Sequence, residues 1–299
     1  MKRVRLLLKF LAALIIVGLG ALGYAYFIEP ARLVVDQQAL AIAEWPSSLD
    51  GFKIVAIGDI HGGSNAVDEE KLHYIVELAN EQQPDLIVLL GDYVSQSGSG
   101  KRSERPLKMP MHTIAENLAG LTAKYGVIAV TGNHDDWYDH DGVSNELRSI
   151  GYTVLDDEIQ TINVAGNELR ILGLRDQLHI ENWSQYSTKL KNVIGANGGS
   201  GPVIVLEHSP DVLPIITGDL LISPDLKLML AAHTHGGQVW LPLIGSPVVP
   251  SSYGQKYARG HVAENGIDMF VTTGVGTSIL PFRFMVPPEI AVLTLRGKD

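Results

Sequence analysis

The chain has 299 residues, of which 45% are hydrophobic and 19% charged, the balance of a folded globular protein. It contains no cysteine, which excludes disulfides, thiolate metal sites and a lipoprotein anchor. With Lys2, Arg3, Arg5 and Lys9 set aside, 19 basic residues face 33 acidic ones, so the body is too acidic for nonspecific nucleic-acid binding and no nucleic-acid partner is expected.

The basic cluster runs into an uncharged apolar stretch, Phe10 to Phe27. As a helix this stretch is about 27 Å long, close to the hydrocarbon thickness of a bilayer. Residues 1–30 are therefore expected to be a membrane anchor, with Tyr24, Tyr26 and Phe27 at the far interface. The basic flank keeps the amino terminus in the cytoplasm and puts the body on the outer side. Gly23 and Ala25 leave a cleaved signal peptide as the alternative, and Lys2-Arg3 is not a twin-Arg pair. From 31 to 50, weak alternation at Leu33, Val35, Leu40 and Ile42 predicts a short hairpin or edge strand that links the anchor to a domain over 51–299.

That domain opens with an apolar run, Lys53 to Ile57, followed at once by Gly58-Asp59-Ile60-His61. Helical spacing from Glu69 to Gln83 is closed by Pro84, and the next apolar run, Leu86 to Leu90, ends in Gly91-Asp92. A helix over Thr113 to Lys124 leads to the strand Val127 to Thr131 and then to Gly132-Asn133-His134-Asp135. Strand, helix, strand, helix, strand is the pattern of parallel βαβ units, which assemble their sites at strand ends. Between these units, 95–111 reads as a surface loop; Gly98-Ser99-Gly100-Lys101 lacks the glycine spacing and the following Ser or Thr of a P-loop. Lys101, Arg102, Arg105 and Lys108 in it could face an anionic substrate or lipid headgroups.

A short helix is expected around Val143 to Ile150, then a hairpin of Glu158 to Val164 and Glu168 to Leu174 turning at Gly166-Asn167. Asn182 to Asn192 reads as helical and 197–201 as a loop. Strands Val203 to Leu206 and Leu226 to Ala231 end in Glu207-His208 and Ala232-His233-Thr234-His235. Met269 to Thr273 and Ile290 to Leu295 are expected to be closing strands.

The strand ends thus supply Asp59, His61, Asp92, Asn133, His134, His208, His233 and His235, each expected outside any helix. Carboxylate, imidazole and amide oxygen without thiolate favour five- or six-coordinate Mn, Fe, Zn or Co over a closed structural zinc. A carboxylate between two such sets can bridge a pair of ions suited to clamp a phosphoryl group.

Asp59-Ile60-His61, Gly91-Asp92, Gly132-Asn133-His134-Asp135, His208 and Ala232-His233-Thr234-His235 resemble, in order, the five motif blocks of the calcineurin-like metallophosphoesterases. Ala232 stands where the family usually has Gly, a methyl that removes no ligand. The resemblance implies a four-layer α/β/β/α sandwich of two mixed sheets, here behind an N-terminal transmembrane helix. It implies two divalent metal ions (Mn, Zn or Fe), one held by Asp59, His61, Asp92 and His235 and the other by Asp92, Asn133, His208 and His233. A hydroxide bridging the ions would attack a phosphodiester or pyrophosphate. His134 would assist the leaving group, oriented by Asp135.

The anchor, His-Thr-His-Gly-Gly-Gln and the segment from Gly274-Val275-Gly276 to Glu289 look like the bacterial membrane-associated phosphodiesterase branch. That branch implies the bacterial inner membrane and a phosphorylated substrate, with lipid-linked ones included. More distantly it resembles the enzymes that hydrolyse UDP-diacylglucosamine in lipid A synthesis. A membrane-tethered scaffold that has lost turnover is the non-enzymatic alternative, although the chain keeps every ligand and His134. The remaining histidines, His73, His112, His140, His179 and His261, read as surface or capping residues. Trp183, Trp240 and Tyr253 read as core or rim. The Pro- and Gly-rich stretch Leu241 to His261 could form a lip over the site, and Arg283 suits a surface salt bridge or a substrate contact.

Overall fold

The computed structural model describes residues 2–98 and 101–298. The first sheet contains β1 (Val34–Ile42), β2 (Lys53–Ile57), β3 (Leu86–Leu90), β4 (Val127–Val130), β5 (Thr153–Val154) and β12 (Glu289–Gly297), in the order β1-β12-β2-β3-β4-β5. The second contains β6 (Glu158–Val164), β7 (Asn167–Gly173), β8 (Val203–Leu206), β9 (Leu226–Ala231), β10 (Gly260–Glu264) and β11 (Ile267–Val271), in the order β10-β11-β9-β8-β7-β6. Both sheets are mixed. The pairs β2–β3, β3–β4, β7–β8 and β8–β9 are parallel, whereas β12–β2, β6–β7 and β10–β11 are antiparallel.

The period-2 alternation of strands sorts the apolar side chains into layers. In β2 and β3, Ile54, Ala56, Leu86, Val88 and Leu90 point into a core shared with Ile204, Leu206, Leu228, Leu230 and Phe270 of the second sheet. The alternate residues Val55, Ile57, Ile87 and Leu89 face outward onto Leu72 and Ile75 of α2 (Glu69–Glu81) and Ile114 and Leu118 of α3 (Met111–Leu118). On the far side, Val203, Val205 and Met229 pack on Leu190 and Ile194 of α5 (Trp183–Asn197) and on Leu213 and Ile216 of α6 (Leu213–Thr217). The result is the expected four-layer sandwich. Strands covered on both faces read as unbroken apolar runs, which is why the sequence locates them. Each fully buried Leu or Ile stabilises the layers by about 1.5–3 kcal/mol.

Several boundaries differ from expectation. The helix α3 stops at Leu118 rather than Lys124, with Ala119 as its cap and Gly120 next. The segment after the anchor takes the edge-strand form of the two that were expected, with β1 parallel to β12. The helix α4 (Asn133–Ser149) begins inside the Gly132-Asn133-His134-Asp135 motif, so Asn133 and His134 lie in a helical first turn. It is broken at Asp139 (φ −166°, ψ 89°), and only the part beyond the break was expected to be helical. Of the segment 98–101, residues 99 and 100 lie outside the described residues; its flanks are tied by Ser97 N–H to Pro106 O (2.9 Å) and Lys108 N–H to Ser95 O (2.8 Å).

The first helix, α1 (Lys2–Phe27), is long and apolar enough to cross a membrane, and its apolar stretch is exposed until the last turns. Those turns are seated on the domain. Ala25 O accepts the Arg283 N–H (3.0 Å), Tyr26 O accepts the Asn65 Nδ2–H (2.7 Å), and Tyr24 meets Phe284 edge-on at 6.3 Å between ring centroids.

Arg283 is therefore no surface residue. Its side chain is fully buried and donates to the carbonyls of Thr273 (2.8 Å), Gly274 (3.1 Å), Gly276 (2.6 Å) and Val286 (3.2 Å). A fork of five N–H donors suits a curl of carbonyls that have no strand partner.

Candidate metal centre

All seven candidate ligands gather at the carboxyl ends of β2, β3, β4, β8 and β9. Gly91 lets the loops after β3 and β4 touch: it has φ +85°, and a Cβ there would lie 2.5 Å from Gly132 N. The methyl of Ala232, the departure from the family motif, is accommodated by Gly58, where a Cβ would lie 2.6 Å from that of Ala232. Asp59, His61, Asp92, His233 and His235 all have φ between +46° and +70°. Left-handed backbone at a non-glycine residue costs on the order of 1–3 kcal/mol and clusters at functional sites.

Asp92 lies at the centre. Its Oδ2 is 3.5 Å from His61 Nε2 and 3.2 Å from His208 Nε2, while its Oδ1 accepts the His134 N–H at 2.8 Å. On one side Asp59 Oδ1 is 3.5 Å from His235 Nε2, and His61 Nε2 is 3.3 Å from the same nitrogen. On the other, His233 Nδ1 is 3.1 Å from His208 Nε2. Each of the sets Asp59/His61/His235 and Asp92/His208/His233 holds its ligand-capable atoms within 4.8 Å of one another, as does His61/Asp92/His134. Two of the imidazoles are oriented by backbone carbonyls, His61 through Nδ1 to Val94 O (3.1 Å) and His208 through Nδ1 to Leu90 O (2.7 Å). That bond turns Nε2 into the site, the usual way a ligating imidazole is aimed.

Three buried atoms in this cluster have no hydrogen-bond partner: Asp59 Oδ2, Asn133 Oδ1 and His235 Nδ1. An unmade bond on a buried polar atom costs about 1–3 kcal/mol, and a cation would satisfy the two oxygens. Burial lifts the Asp59 carboxyl to about 7 and depresses His61 to about 3 and His233 to about 4. Burial also opposes the charge on Asp92, yet His208 beside it holds that carboxyl well below the usual range. A carboxylate bordered by imidazoles is a donor set that fits divalent cations.

Asp135 is fully buried, and its two oxygens are occupied by backbone donors. Oδ2 accepts from Asp92 N–H (2.8 Å) and Gly132 N–H (2.9 Å), and Oδ1 from Tyr93 N–H (2.9 Å) and Val94 N–H (3.2 Å). It staples the loop after β3 to the start of α4, so its hold on His134 runs through the backbone. The His134 ring lies 4.8 Å from that of His61 and 4.9 Å from that of Trp137, and its Nε2 is 3.3 Å from Ser278 Oγ.

The sequence reading missed several residues around this centre. Ser278 belongs to the segment after β11, whose backbone crosses the site, with Val275 N–H to Gly58 O (3.1 Å) and Gly276 N–H to Asp59 O (2.6 Å). Gly274-Val275-Gly276 was the available signal. His140 and His179 are not simple surface or capping residues. His140 Nδ1 is 2.6 Å from Asp136 Oδ1 and its Nε2 3.1 Å from Asp156 Oδ2, while His179 Nε2 is 2.6 Å from Asp136 Oδ2. Asp136, and then Asp156, raise His140 to about 9. His73 and His112 are exposed, and His261 pairs with Asp268 at 2.7 Å. The stretch 241–261 is fastened to the loop that carries His233 and His235, with Ser246 Oγ–H donating to Gly236 O (2.7 Å).

Buried carboxylates and imidazoles, converging from strand ends of a paired-sheet sandwich without a thiolate, define a metal-dependent hydrolase. The profile of the calcineurin-like phosphoesterases matches residues 52–237, and the chain belongs to that family of metal-dependent phosphoesterases. It is 30% identical over 283 residues to the uncharacterised metallophosphoesterase YkuE of Bacillus subtilis, spanning 94% of this chain and 91% of that one. It is 28% identical to the phosphodiesterase YaeI of Escherichia coli, over 91% of this chain and 92% of that one. A transmembrane protein with metallophosphoesterase domain from Danio rerio is 27% identical; the match spans 96% of this chain and 62% of that protein.

Proposed function

We propose that the protein is a membrane-anchored dinuclear-metal phosphohydrolase that cleaves a phosphodiester or pyrophosphate bond. Asp92 carries the reading: one carboxylate sits between two imidazole sets, with orphaned oxygens on Asp59 and Asn133 beside it. In this reading Asp59, His61, Asp92 and His235 would hold one ion, and Asp92, Asn133, His208 and His233 the other. Two divalent ions, when bound, would polarise phosphoryl oxygens and acidify water towards neutrality.

The remaining work falls to the chain. His134 would face the phosphoryl group and give a proton from its imidazole to the leaving oxygen. Ser278 would steady that ring through the 3.3 Å contact at Nε2. Asp135 would hold the backbone of both Asp92 and His134 in register through the four N–H groups it accepts. A phosphodiester agrees with the name of the Escherichia coli relative. A lipid-linked substrate agrees with the anchor.

Residues 1–30 would be the anchor, 31–50 the edge-strand link and 51–299 the catalytic domain. The basic flank argues for a single pass through a bacterial inner membrane with the domain outside. That topology counts against a cytoplasmic UDP-diacylglucosamine-type pyrophosphate. Full-length protein in detergent, loaded with Mn or Zn, should hydrolyse bis(p-nitrophenyl) phosphate or a nucleotide pyrophosphate faster than p-nitrophenyl phosphate. No hydrolysis of any of the three would overturn the catalytic reading. Protease digestion of intact cells tests the orientation separately.

A further inference from the structure

The end of α1 fixes where a bilayer would meet the domain. Arg283 N–H donates to Ala25 O (3.0 Å), Asn65 Nδ2–H bridges Tyr26 O (2.7 Å) and Pro281 O (2.8 Å), and Phe282 meets the Tyr26 ring at 5.7 Å between centroids. The loop 278–285 therefore lies against the last turn of the helix. A second loop is laced to it: Val239 pairs with Phe284, Trp240 N–H donates to Phe284 O (2.9 Å), and Gln238 Nε2–H donates to Ser278 O (3.0 Å). From Trp240 the chain makes a tight turn closed by Leu241 N–H to Gly245 O (2.8 Å).

Each of these loops carries bare apolar side chains at its tip. Relative exposure is 105% at Leu243 and 97% at Ile279, and Ile244, Val248 and Leu280 are also exposed, as is Phe27 at the helix end. Both tip residues have left-handed backbone, φ +70° at Leu243 and +61° at Ile279, which a β-branched residue such as Ile rarely adopts. Water disfavours such a surface, and two apolar tips joined to the root of an apolar helix match a lipid interface.

We infer that the loops 241–248 and 279–285 dip into the headgroup and upper acyl region of the bilayer beside the anchor, and hold the mouth of the candidate site at the membrane surface. The occupant is lipid rather than another protein, because the patch is continuous with the helix end that the membrane itself would surround. Ser278, whose Oγ lies 3.3 Å from His134 Nε2, immediately precedes the dipping Ile279. A phosphoester carried by a membrane lipid would then reach His134 without leaving the interface. The inference rests on α1 crossing the membrane and, for the substrate, on the phosphohydrolase reading above.

The chain has no cysteine, so single labels are clean. Full-length Leu243→Cys, Ile279→Cys and Leu14→Cys, with Thr188→Cys on exposed α5 as the water reference, would carry an environment-sensitive fluorophore. They would be reconstituted in phosphatidylethanolamine and phosphatidylglycerol vesicles containing shallow nitroxide lipid. Labels at 243 and 279 should be blue-shifted and quenched several-fold more than the label at 188. Quenching at 243 and 279 no greater than at 188 would overturn the inference. So would a shift that disappears on diluting the protein in lipid, since a second copy would then cover the patch. A label at 14 that emits as in water would remove the anchor and the inference with it. None of these signals needs turnover, so their failure is separable from failure of the phosphohydrolase reading.

Discussion

The two sheets bring unlike materials to the same centre. The first sheet contributes a frame that the protein itself satisfies, in which Asp135 takes four backbone N–H groups and Asp92 Oδ1 takes the His134 N–H, and beside it two open oxygens, Asp59 Oδ2 and Asn133 Oδ1. The second sheet's contribution is imidazole, with His233 facing His208 at 3.1 Å and His235 facing His61 at 3.3 Å, nitrogen to nitrogen. His235 Nδ1 has no partner at all. The bonds of Asp135 and Asp92 set the frame unaided, whereas Asp59 Oδ2, Asn133 Oδ1 and the imidazoles of the second half would be completed by what they bind. Changes in that frame should therefore cost stability as well as rate, and changes in the second half chiefly rate.

The largest expected effect is on turnover. His134→Ala should lower it by roughly 10²–10⁴ while metal content, read by elemental analysis, stays unchanged. Loss of metal in that variant would make His134 a ligand of the set it shares with His61 and Asp92. Next, Asp135→Ala strands four buried N–H groups and should destabilise the domain by on the order of 3–5 kcal/mol in denaturant titration. His235→Ala should remove metal-dependent activity at a clearly smaller cost in stability. Equal costs for the two would dissolve the distinction between the halves.

A strap joins the halves, and its effect is smaller. His140 and Asp136 belong to α4 on the first side, and His179 reaches Asp136 from the segment between β7 and α5. The folded pKa of His140, about 9, lies above its ordinary value of 6.5, so protonated His140 stabilises the fold. That contribution is fully present below about pH 6.5 and is lost as pH rises through about 9, amounting to about 1–3 kcal/mol. His140→Gln should flatten the stability profile over that window, and an unchanged profile would remove the strap from the account.

Chelation should abolish hydrolysis yet leave the fold standing. Removing bound metal should lower Tm by less than about 10 °C, the scale of site occupancy at moderate affinity. In hydrogen exchange the amides of Asp92, Tyr93, Val94 and Gly132 should stay protected, while those of 233–238 exchange faster. Collapse of the whole domain would indicate a structural metal instead.

Why the sequence exposed some of this and not the rest follows from where each residue's environment comes from. The strands β2, β3, β4, β8 and β9 are buried on both faces and read as apolar runs, so the polar groups at their ends stand out. The start of α4 was not legible because Asn133, His134, Asp135 and Asp136 are indifferent helix formers and are held by tertiary bonds instead. The strand β10 alternates between half-buried and exposed at the sheet edge and carries little apolar signal. Arg283 resembled a surface cation because its carbonyl cage is assembled by the turn of 273–286 beneath α1. The His140 clamp needed Asp136 and Asp156 to meet across β5, which no local pattern announces.

The central claim is that the two halves jointly hold a pair of ions for phosphoester hydrolysis. Its most direct test is to titrate the chelated full-length protein with Mn or Zn while measuring ions bound per chain and hydrolysis of bis(p-nitrophenyl) phosphate together. The chelated protein should show no hydrolysis, and the rate should rise until the second ion binds. Hydrolysis that survives chelation, or that is complete with a single ion, would contradict the claim.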